Sequence, residues 1–315
     1  MVARAARDAG RAEGVGRVSC VAVRVLVLGG SGLVGTRFRE LHGEAFELDA
    51  PGHAELDVLD VDALECYLRR SPAEAVLNLA ACTNLDSAEL ERGDLQGVVY
   101  RTNATLVGRL ADLCAALDKR LVHVSTDYVF DGEQADRPYR EADPVHPLSW
   151  YGQTKREGEE LALARGDGVC IARVEMPFTG RAHRKSDFAR FVVGRLRAGQ
   201  EVVAVDDQKI TPIFLDDAAL ALRRLVAQHQ PGVIHLASTD WTTPLEFASA
   251  IADGLGLDRQ LIRGERFDRF APTRRARRPR HSWLDVSAFS KLVDPAPLHS
   301  LAAEVDALTR QLRAA

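Results

Sequence analysis

The chain has 315 residues, of which 46% are hydrophobic and 27% are charged, proportions that exclude a disordered polypeptide. Its formal net charge of -4 excludes a general attraction to nucleic acid or anionic lipid, and no apolar run reaches the roughly 18 residues of a membrane span. The five cysteines form no C-x-x-C pair and no metal-like spacing, so we expect reduced thiols, no metal site and a soluble cytoplasmic protein.

The first 22 residues carry four arginines among alanine and glycine, without the apolar stretch of a secretory signal. We expect a disordered extension there, with no role in the chemistry. The length of the remainder favours one large domain plus a smaller lobe.

From residue 23 onward, short apolar runs alternate with helix-like segments. Strands are predicted at 23–28, 45–49, 75–79, 120–125 and 169–173, and helices at 32–42, 61–70, 95–117 and 149–165. This alternation predicts an α/β fold with a doubly wound parallel sheet of the Rossmann type, in which ligands bind outside the carboxyl ends of the strands. Beyond 173 the pattern loosens, so 174–315 are predicted to form mainly a substrate-binding lobe, with some segments returning to the first domain.

A glycine-rich turn follows the first predicted strand, where Gly29, Gly32 and Gly35 form G-x-x-G-x-x-G. Glycines there permit a tight turn and close approach of a pyrophosphate, whose charge is attracted by the free N–H groups of the helix start. A plain strand-to-helix turn is the alternative. The cofactor contacts predicted in this loop are Gly29, Ser31, Gly32, Leu33, Val34 and Gly35.

Acidic and small residues follow the next two strands. Asp49 ends the second predicted strand 20 positions after Gly29, where a carboxylate can accept hydrogen bonds from an adenosine ribose and favour NAD over NADP. A solvated turn aspartate is the alternative. Asp57 and Val58 are predicted to lie beside the adenine, and Ala80 and Ala81 to leave room for the cofactor.

The strongest catalytic pattern is the pair Tyr151 and Lys155, spaced i, i+4 on one face of a predicted helix. A lysine ammonium beside a phenol lowers the pKa of the phenol and makes it a usable proton donor. Thr126 follows the fourth strand, where its hydroxyl can bind a substrate carbonyl. Asn103 is a polar residue inside the preceding long helix. The alternative is that Tyr151 and Lys155 are two exposed side chains on the surface of a helix, without a catalytic role.

Four longer segments carry a family resemblance: N-L-A-A-C-T-N-L-D-S-A-E at 78–89, T-N-A at 102–104, S-T-D-Y-V-F-D-G at 125–132 and A-R-R-P-R-H-S-W-L-D at 276–285. With them the chain resembles the extended short-chain dehydrogenases/reductases and, within these, the dTDP-4-dehydrorhamnose reductase family. The resemblance implies NADPH- or NADH-dependent reduction of the 4-keto group of a nucleotide-linked 4-keto-6-deoxy sugar.

Particular residues take roles from this resemblance. Thr126, Tyr151 and Lys155 occupy the catalytic triad positions, and Asn103, Tyr151 and Lys155 are expected to contact the cofactor. The implied substrate contacts are Thr83, Asp86, Thr126, Asp127 and Arg278.

Two segments depart from the family pattern. The family's R-x-S-W-V-Y-G reads R-V-E-M-P-F-T-G at 173–180, without the tryptophan, and D-Q-x-G-x-P-T at 207–213 keeps only Asp, Gln and Pro. Since both segments line the substrate side in this family, the identity of the sugar stays open. The arginines at 274–280 suit a sugar-nucleotide diphosphate, with a solvated surface or a nucleic-acid patch as alternatives.

Two other functions stay open. One is an epimerase or dehydratase of the same fold, in which tightly held NAD is reduced and reoxidised within one cycle. The other is a non-catalytic regulatory subunit similar to the β subunit of methionine adenosyltransferase, whose role is association with another enzyme. For the reductase we expect a nucleotide-sugar substrate, no nucleic-acid or membrane partner, and a homodimer, since dimers are common among proteins that the chain resembles.

Overall fold

The computed structural model describes residues 23–228 and 230–314, and the extension predicted for residues 1–22 lies outside them. No helix in these two ranges is both long and apolar enough to cross a membrane. Their strands are β1 Arg24–Leu28, β2 Glu47–Asp49, β3 Ala75–Asn78, β4 Arg120–Thr126, β5 Val169–Val174, β6 Val202–Val205, β7 Gly232–Leu236 and β8 Ile262–Glu265. Their helices are α1 Leu33–His42, α2 Val61–Arg70, α3 Leu85–Ala88, α4 Val98–Tyr100, α5 Leu106–Ala116, α6 Trp150–Leu163, α7 Phe188–Arg197, α8 Leu215–Ala227, α9 Pro244–Leu255, α10 Phe267–Phe270, α11 Ser287–Leu292 and α12 Leu301–Ala314.

The main sheet has six parallel strands in the order β2-β1-β3-β4-β5-β7, which confirms the predicted doubly wound fold. Alternate residues of β1 point to opposite faces, so Val25 and Val27 pack toward α1 and α8 while Leu26 and Leu28 pack toward α2 and α5. Both faces are therefore covered. The strand order reverses at β1, which opens a crevice at the carboxyl ends of β1 and β3.

A smaller lobe is built around the two-stranded parallel sheet of β6 and β8. Its core joins α7, α9 and α12 through buried side chains such as Val192, Phe247 and Leu308. Between β6 and β8 the chain returns to the main sheet through α8 and β7, and the buried guanidinium of Arg37 on α1 pairs with the Asp216 carboxylate on α8 at 2.6 Å. A domain boundary at residue 173 stays a prediction.

Two predicted boundaries need correction. The helix predicted from 95 begins instead at Val98, because the Glu91 carboxylate accepts the Val99 N–H at 2.9 Å and holds the preceding residues in a turn. A π-helical turn at Arg101–Thr105 interrupts it before α5. The strand predicted from 45 begins at Glu47, because the N–H groups of the two residues before it still bond to the His42 carbonyl at the end of α1.

Candidate active site

The loops that follow β1, β3, β4 and β5 enclose a cavity of about 330 Å³ at the carboxyl edge of the main sheet. The cavity brings together most of the predicted glycine loop and all three predicted catalytic residues. The predicted residues in its wall are Gly29, Gly32, Leu33, Val34, Gly35, Ala81, Thr83, Thr126, Asp127, Tyr151 and Lys155. The predicted residues outside that wall are Ser31, Asp49, Asp57, Val58, Ala80, Asp86, Asn103 and Arg278.

The glycine loop has the geometry that a dinucleotide requires. Gly29 has a φ of +77°, and a Cβ there would lie 2.6 Å from the backbone nitrogen of Ala80, so only glycine fits. Gly32 caps α1 without a side-chain acceptor, and the first turn of α1 contains no acidic residue. The first N–H groups of α1 are thus left for an anion such as the pyrophosphate of NAD(P).

Tyr151 is placed against Thr126 by the start of α6. The Ser149 hydroxyl caps this helix by accepting the Gly152 N–H at 3.1 Å. A Cβ on Gly152 would overlap the carbonyl oxygen of Tyr128, so the glycine lets α6 approach the turn that follows β4. Tyr151 and Thr126 are 7% and 5% exposed, and both lie in the wall of the cavity.

The phenol of Tyr151 stays protonated over a wide pH range. Burial raises the pKa of Tyr151, the nearby Thr126 hydroxyl offsets part of that rise, and the neighbouring Asp127 carboxyl raises the pKa further. A group in this state can donate a proton within the cavity.

Lys155 is almost fully buried one helical turn after Tyr151. Its Nζ lies 2.9 Å from Nε2 of His123 and donates to the Val124 carbonyl at 2.8 Å. Burial lowers the pKa of Lys155 to about 8, against the opposing charge of Glu159. The predicted effect of Lys155 on the pKa of Tyr151 stays a prediction, since among the described residues the partners of Nζ are His123 and Val124.

His123 supports this lysine from inside β4. Its Nδ1 lies 3.0 Å from Nδ2 of Asn78, and burial, together with the charge of Lys155, holds the pKa of His123 well below its usual range. The ring is therefore neutral. His123 was not among the predicted site residues, although a histidine between two valines of a buried strand is a visible signal.

Asn103 lies behind the cavity wall, in the π-helical turn. Its side chain accepts the Cys82 N–H at 2.9 Å and donates to the Cys82 carbonyl at 3.0 Å and to the Thr154 hydroxyl at 3.2 Å. It thereby joins the segment after β3 to α6, next to Tyr151. Its predicted contact with the cofactor stays a prediction.

The residues predicted to contact the adenosine of the cofactor interact with other residues of the protein. Asp49 accepts a hydrogen bond from the Tyr67 hydroxyl at 2.8 Å, and burial together with this bond raises the pKa of Tyr67 to about 12. Asp57 accepts the Leu59 N–H at 3.0 Å, and Val58 is partly buried against the core. The ribose and adenine contacts of these residues stay predictions.

Asp86 connects α3 to the arginine-rich segment at 276–285. It accepts the Ala276 N–H at 2.9 Å and a guanidinium N–H of Arg278 at 3.1 Å. The Nη1 of Arg278 is buried without a hydrogen-bond partner among the described residues. A buried, unpaired guanidinium nitrogen fits an anionic ligand such as a sugar-nucleotide diphosphate. The substrate contacts of Asp86 and Arg278 stay predictions.

Two buried acidic residues follow β4 and β5. Asp127 and Glu175 are both buried, and Oδ1 of Asp127 lies 3.0 Å from Oγ1 of Thr126. Glu175 follows β5, with Oε1 at 2.6 Å from Oγ of Ser282. Burial raises the pKa of Asp127 to about 7, and burial together with Asp127 raises the pKa of Glu175 well above its usual range.

A model of the family described as the RmlD substrate binding domain matches residues 23–311. The chain belongs to the RmlD family. This match covers both lobes, and it confirms the family resemblance seen in the sequence.

Named relatives of this RmlD-family chain agree with that assignment. It is 32% identical to a dTDP-4-dehydrorhamnose reductase from Mycolicibacterium smegmatis over 283 residues, 85% of this chain and 81% of the relative. The crystal structure of a dTDP-4-dehydrorhamnose reductase from Clostridium acetobutylicum superposes with a TM-score of 0.83 at 26% identity, covering 92% and 100% of the two chains. The methionine adenosyltransferase 2 subunit beta of Bos taurus is 28% identical over 85% of this chain and 82% of its own.

Glu175, which lies beside this RmlD-family site, was not among the predicted site residues. It stands where the family motif has serine, so a visible sign existed in the segment at 173–180. What the sequence could not show is its pairing with Ser282, 107 positions later.

Proposed function

We propose that this chain is an NAD(P)-dependent oxidoreductase that reduces the 4-keto group of a nucleotide-linked 4-keto-6-deoxy sugar, with NADPH or NADH as the cofactor. The observation that carries the proposal is the placement of Thr126, Tyr151 and Lys155 in the wall of the cavity that also holds the glycine loop. The identity of 32% to a dTDP-4-dehydrorhamnose reductase supports the substrate class.

The cofactor, when bound, supplies the hydride. The N–H groups at the start of α1 and the Gly29 turn would hold its pyrophosphate, and Lys155 would bind its nicotinamide ribose. Tyr151 donates the proton to the developing alkoxide, since its raised pKa keeps it protonated. Thr126 donates a hydrogen bond to the same oxygen.

The sugar nucleotide lies between this catalytic group and the segment at 276–285. The unpaired Nη1 of Arg278 binds a phosphate oxygen, and Thr83, Asp86 and Asp127 contact the remainder of the substrate. A cytoplasmic location and a homodimer complete the proposal.

The test is a screen of dTDP-, UDP- and GDP-linked 4-keto sugars with NADH and with NADPH, followed by NMR assignment of the stereochemistry of the product. Reduction of one class with stoichiometric cofactor consumption supports the proposal. Tightly bound NAD with no net consumption would point to an epimerase or dehydratase. Co-purification of a methionine adenosyltransferase, with no reduction of any sugar, would point to a regulatory subunit.

The matched control is Tyr151→Phe, which removes only the phenolic hydroxyl. We expect turnover to fall by about 10² to 10⁴-fold, the usual contribution of a positioned proton donor, while the Kd of the cofactor measured by fluorescence titration changes far less. Near-normal turnover of this variant would contradict the role of Tyr151.

A further inference from the structure

Lys185 is the second lysine in the wall of the cavity. It belongs to the segment at 181–187, which leads into α7. The first lysine, Lys155, is buried, and its ammonium is engaged by His123 and the Val124 carbonyl. Lys185 is exposed, and among the described residues it pairs with no carboxylate. Its ammonium group is therefore available to an anionic ligand in the cavity.

The acidic residue nearest to Lys185 in sequence has another partner. Asp187, also in the cavity wall, accepts Nε–H of Arg190 at 2.6 Å through Oδ2 and the Arg190 backbone N–H at 3.0 Å through Oδ1. The side chain of Asp187 is 4% exposed. Because Arg190 compensates the charge of Asp187, the charge that this segment presents in the cavity wall is positive.

The backbone of Lys185 is held on both sides. Its N–H donates to Nδ1 of His183 at 3.1 Å, and its carbonyl accepts a short hydrogen bond from Nη2 of Arg190. Nη1 of Arg190 donates in addition to the His183 carbonyl at 2.8 Å. The point from which the lysine side chain leaves the backbone is thus fixed before a ligand binds, which lowers the entropic cost of binding.

His183 connects this segment to the glycine loop. Because Nδ1 of His183 accepts the Lys185 N–H, the ring proton is on Nε2, which lies 3.4 Å from the carbonyl oxygen of Ser31. Ser31 directly precedes Gly32, the N-cap of α1. Lys185 is therefore two residues away from a contact with the loop whose free N–H groups attract a pyrophosphate.

We propose that Lys185 binds the diphosphate of the dinucleotide cofactor, and that His183 is the positioning residue that holds Lys185 beside the glycine loop. The inference rests on the proposed function, because it takes NADPH or NADH as the cofactor. The N–H groups of α1 supply directional hydrogen bonds, and the lysine adds a full positive charge for the same anion. A sugar nucleotide also contains a diphosphate, but the contact of His183 with Ser31 favours the diphosphate of the cofactor.

Fluorescence titration of the whole chain with NADPH, without any sugar, tests the role of Lys185. Lys185→Ala is expected to raise the Kd by about 5- to 30-fold, and Lys185→Arg, which keeps the charge, by less than about threefold. The Kd of wild type is expected to rise more steeply with salt concentration than that of Lys185→Ala, because the lost contact is ionic. Arg184→Ala is the matched control, since it removes an exposed cation next to Lys185 that does not line the cavity, and its Kd is expected to equal that of wild type.

A double-mutant cycle tests the positioning role of His183. His183→Ala is expected to raise the Kd for NADPH by about threefold, and the double variant His183→Ala/Lys185→Ala to bind NADPH no more weakly than Lys185→Ala alone. Losses that simply add would show that His183 acts independently of Lys185, and would overturn its positioning role.

Titration with dTDP distinguishes the cofactor from the sugar nucleotide. We expect the Kd of dTDP to be the same in wild type and in Lys185→Ala. A loss confined to dTDP, or equal NADPH affinities of wild type and Lys185→Ala, would overturn the proposal. None of these titrations needs turnover, so a chain that binds NADPH through Lys185 and reduces no sugar would refute the proposed function while this inference stands.

Discussion

Gly152 offers a direct test of how the catalytic contact is held. A Cβ at this position would overlap the carbonyl oxygen of Tyr128 and lie 3.0 Å from Cβ of Pro147. The backbone oxygen cannot rotate away as a flexible side chain could, so in Gly152→Ala the helix α6 and the turn after β4 must separate by about 1 Å. A displacement of this size between reacting groups costs about 10²-fold in rate. We therefore expect kcat to fall by about 100-fold, because Tyr151 and Thr126 move apart.

The assay for Gly152→Ala is steady-state kinetics with the best sugar nucleotide from the screen, together with fluorescence titration of the cofactor. The glycine loop is expected to keep its hold on the pyrophosphate, so the Kd of the cofactor is expected to change far less than kcat. Gly194→Ala is the matched control, since Gly194 lies within α7 with no atom near its missing Cβ. It is expected to stabilise the fold by about 0.5–1 kcal/mol without changing kcat. An undiminished kcat in Gly152→Ala would refute the close-approach argument.

Two other predictions concern charge. Asp49→Asn removes a carboxylate at the predicted ribose site, so the ratio of kcat/KM for NADPH to kcat/KM for NADH is expected to rise about tenfold, equal to ~1.4 kcal/mol. The control Tyr67→Phe keeps the charge of Asp49 and is expected to leave this ratio unchanged. An unchanged ratio in Asp49→Asn would indicate that the ribose binds elsewhere. Burial and the nearby Asp217 carboxyl raise the pKa of Glu304 well above its usual range. The contribution of Glu304 to the free energy of unfolding is therefore largest below its pKa in the unfolded chain, about 4.3, and falls by about 1.4 kcal/mol per pH unit up to its pKa in the folded protein. Urea denaturation at a series of pH values is expected to show a steeper fall of the free energy of unfolding with pH in wild type than in Glu304→Gln, and equal slopes would contradict the assignment.

The parts of the fold that the sequence predicted well are those with local patterns. The apolar run of β1 and the glycines at 29, 32 and 35 lie within 12 residues of one another, so strand, turn and helix can be recognised together. The start of α4 was predicted three residues too early. Its actual start depends on the contact between Glu91 and the Val99 N–H, which belongs to a turn and has no periodic pattern of hydrophobic residues.

The candidate site was predictable where residues follow strands and less so where distant segments meet. The cavity places Tyr151 and Thr126 together as expected, since both lie at the carboxyl edge of the sheet. The contacts of Glu175 with Thr211 and Ser282 join segments 36 and 107 positions away. Such pairings depend on how the smaller lobe packs, and no periodicity of the chain encodes them.

The path of the chain between the lobes limits how such a protein can be recombined with its relatives. β6 and β8 belong to the small sheet, whereas β7, between them in sequence, lies in the main sheet. A single crossover after β5 would therefore exchange α8 and β7 along with the smaller lobe, and would separate Arg37 from the Asp216 with which it pairs. New sugar preferences are thus more accessible through point substitutions in the cavity wall than through exchange of whole lobes.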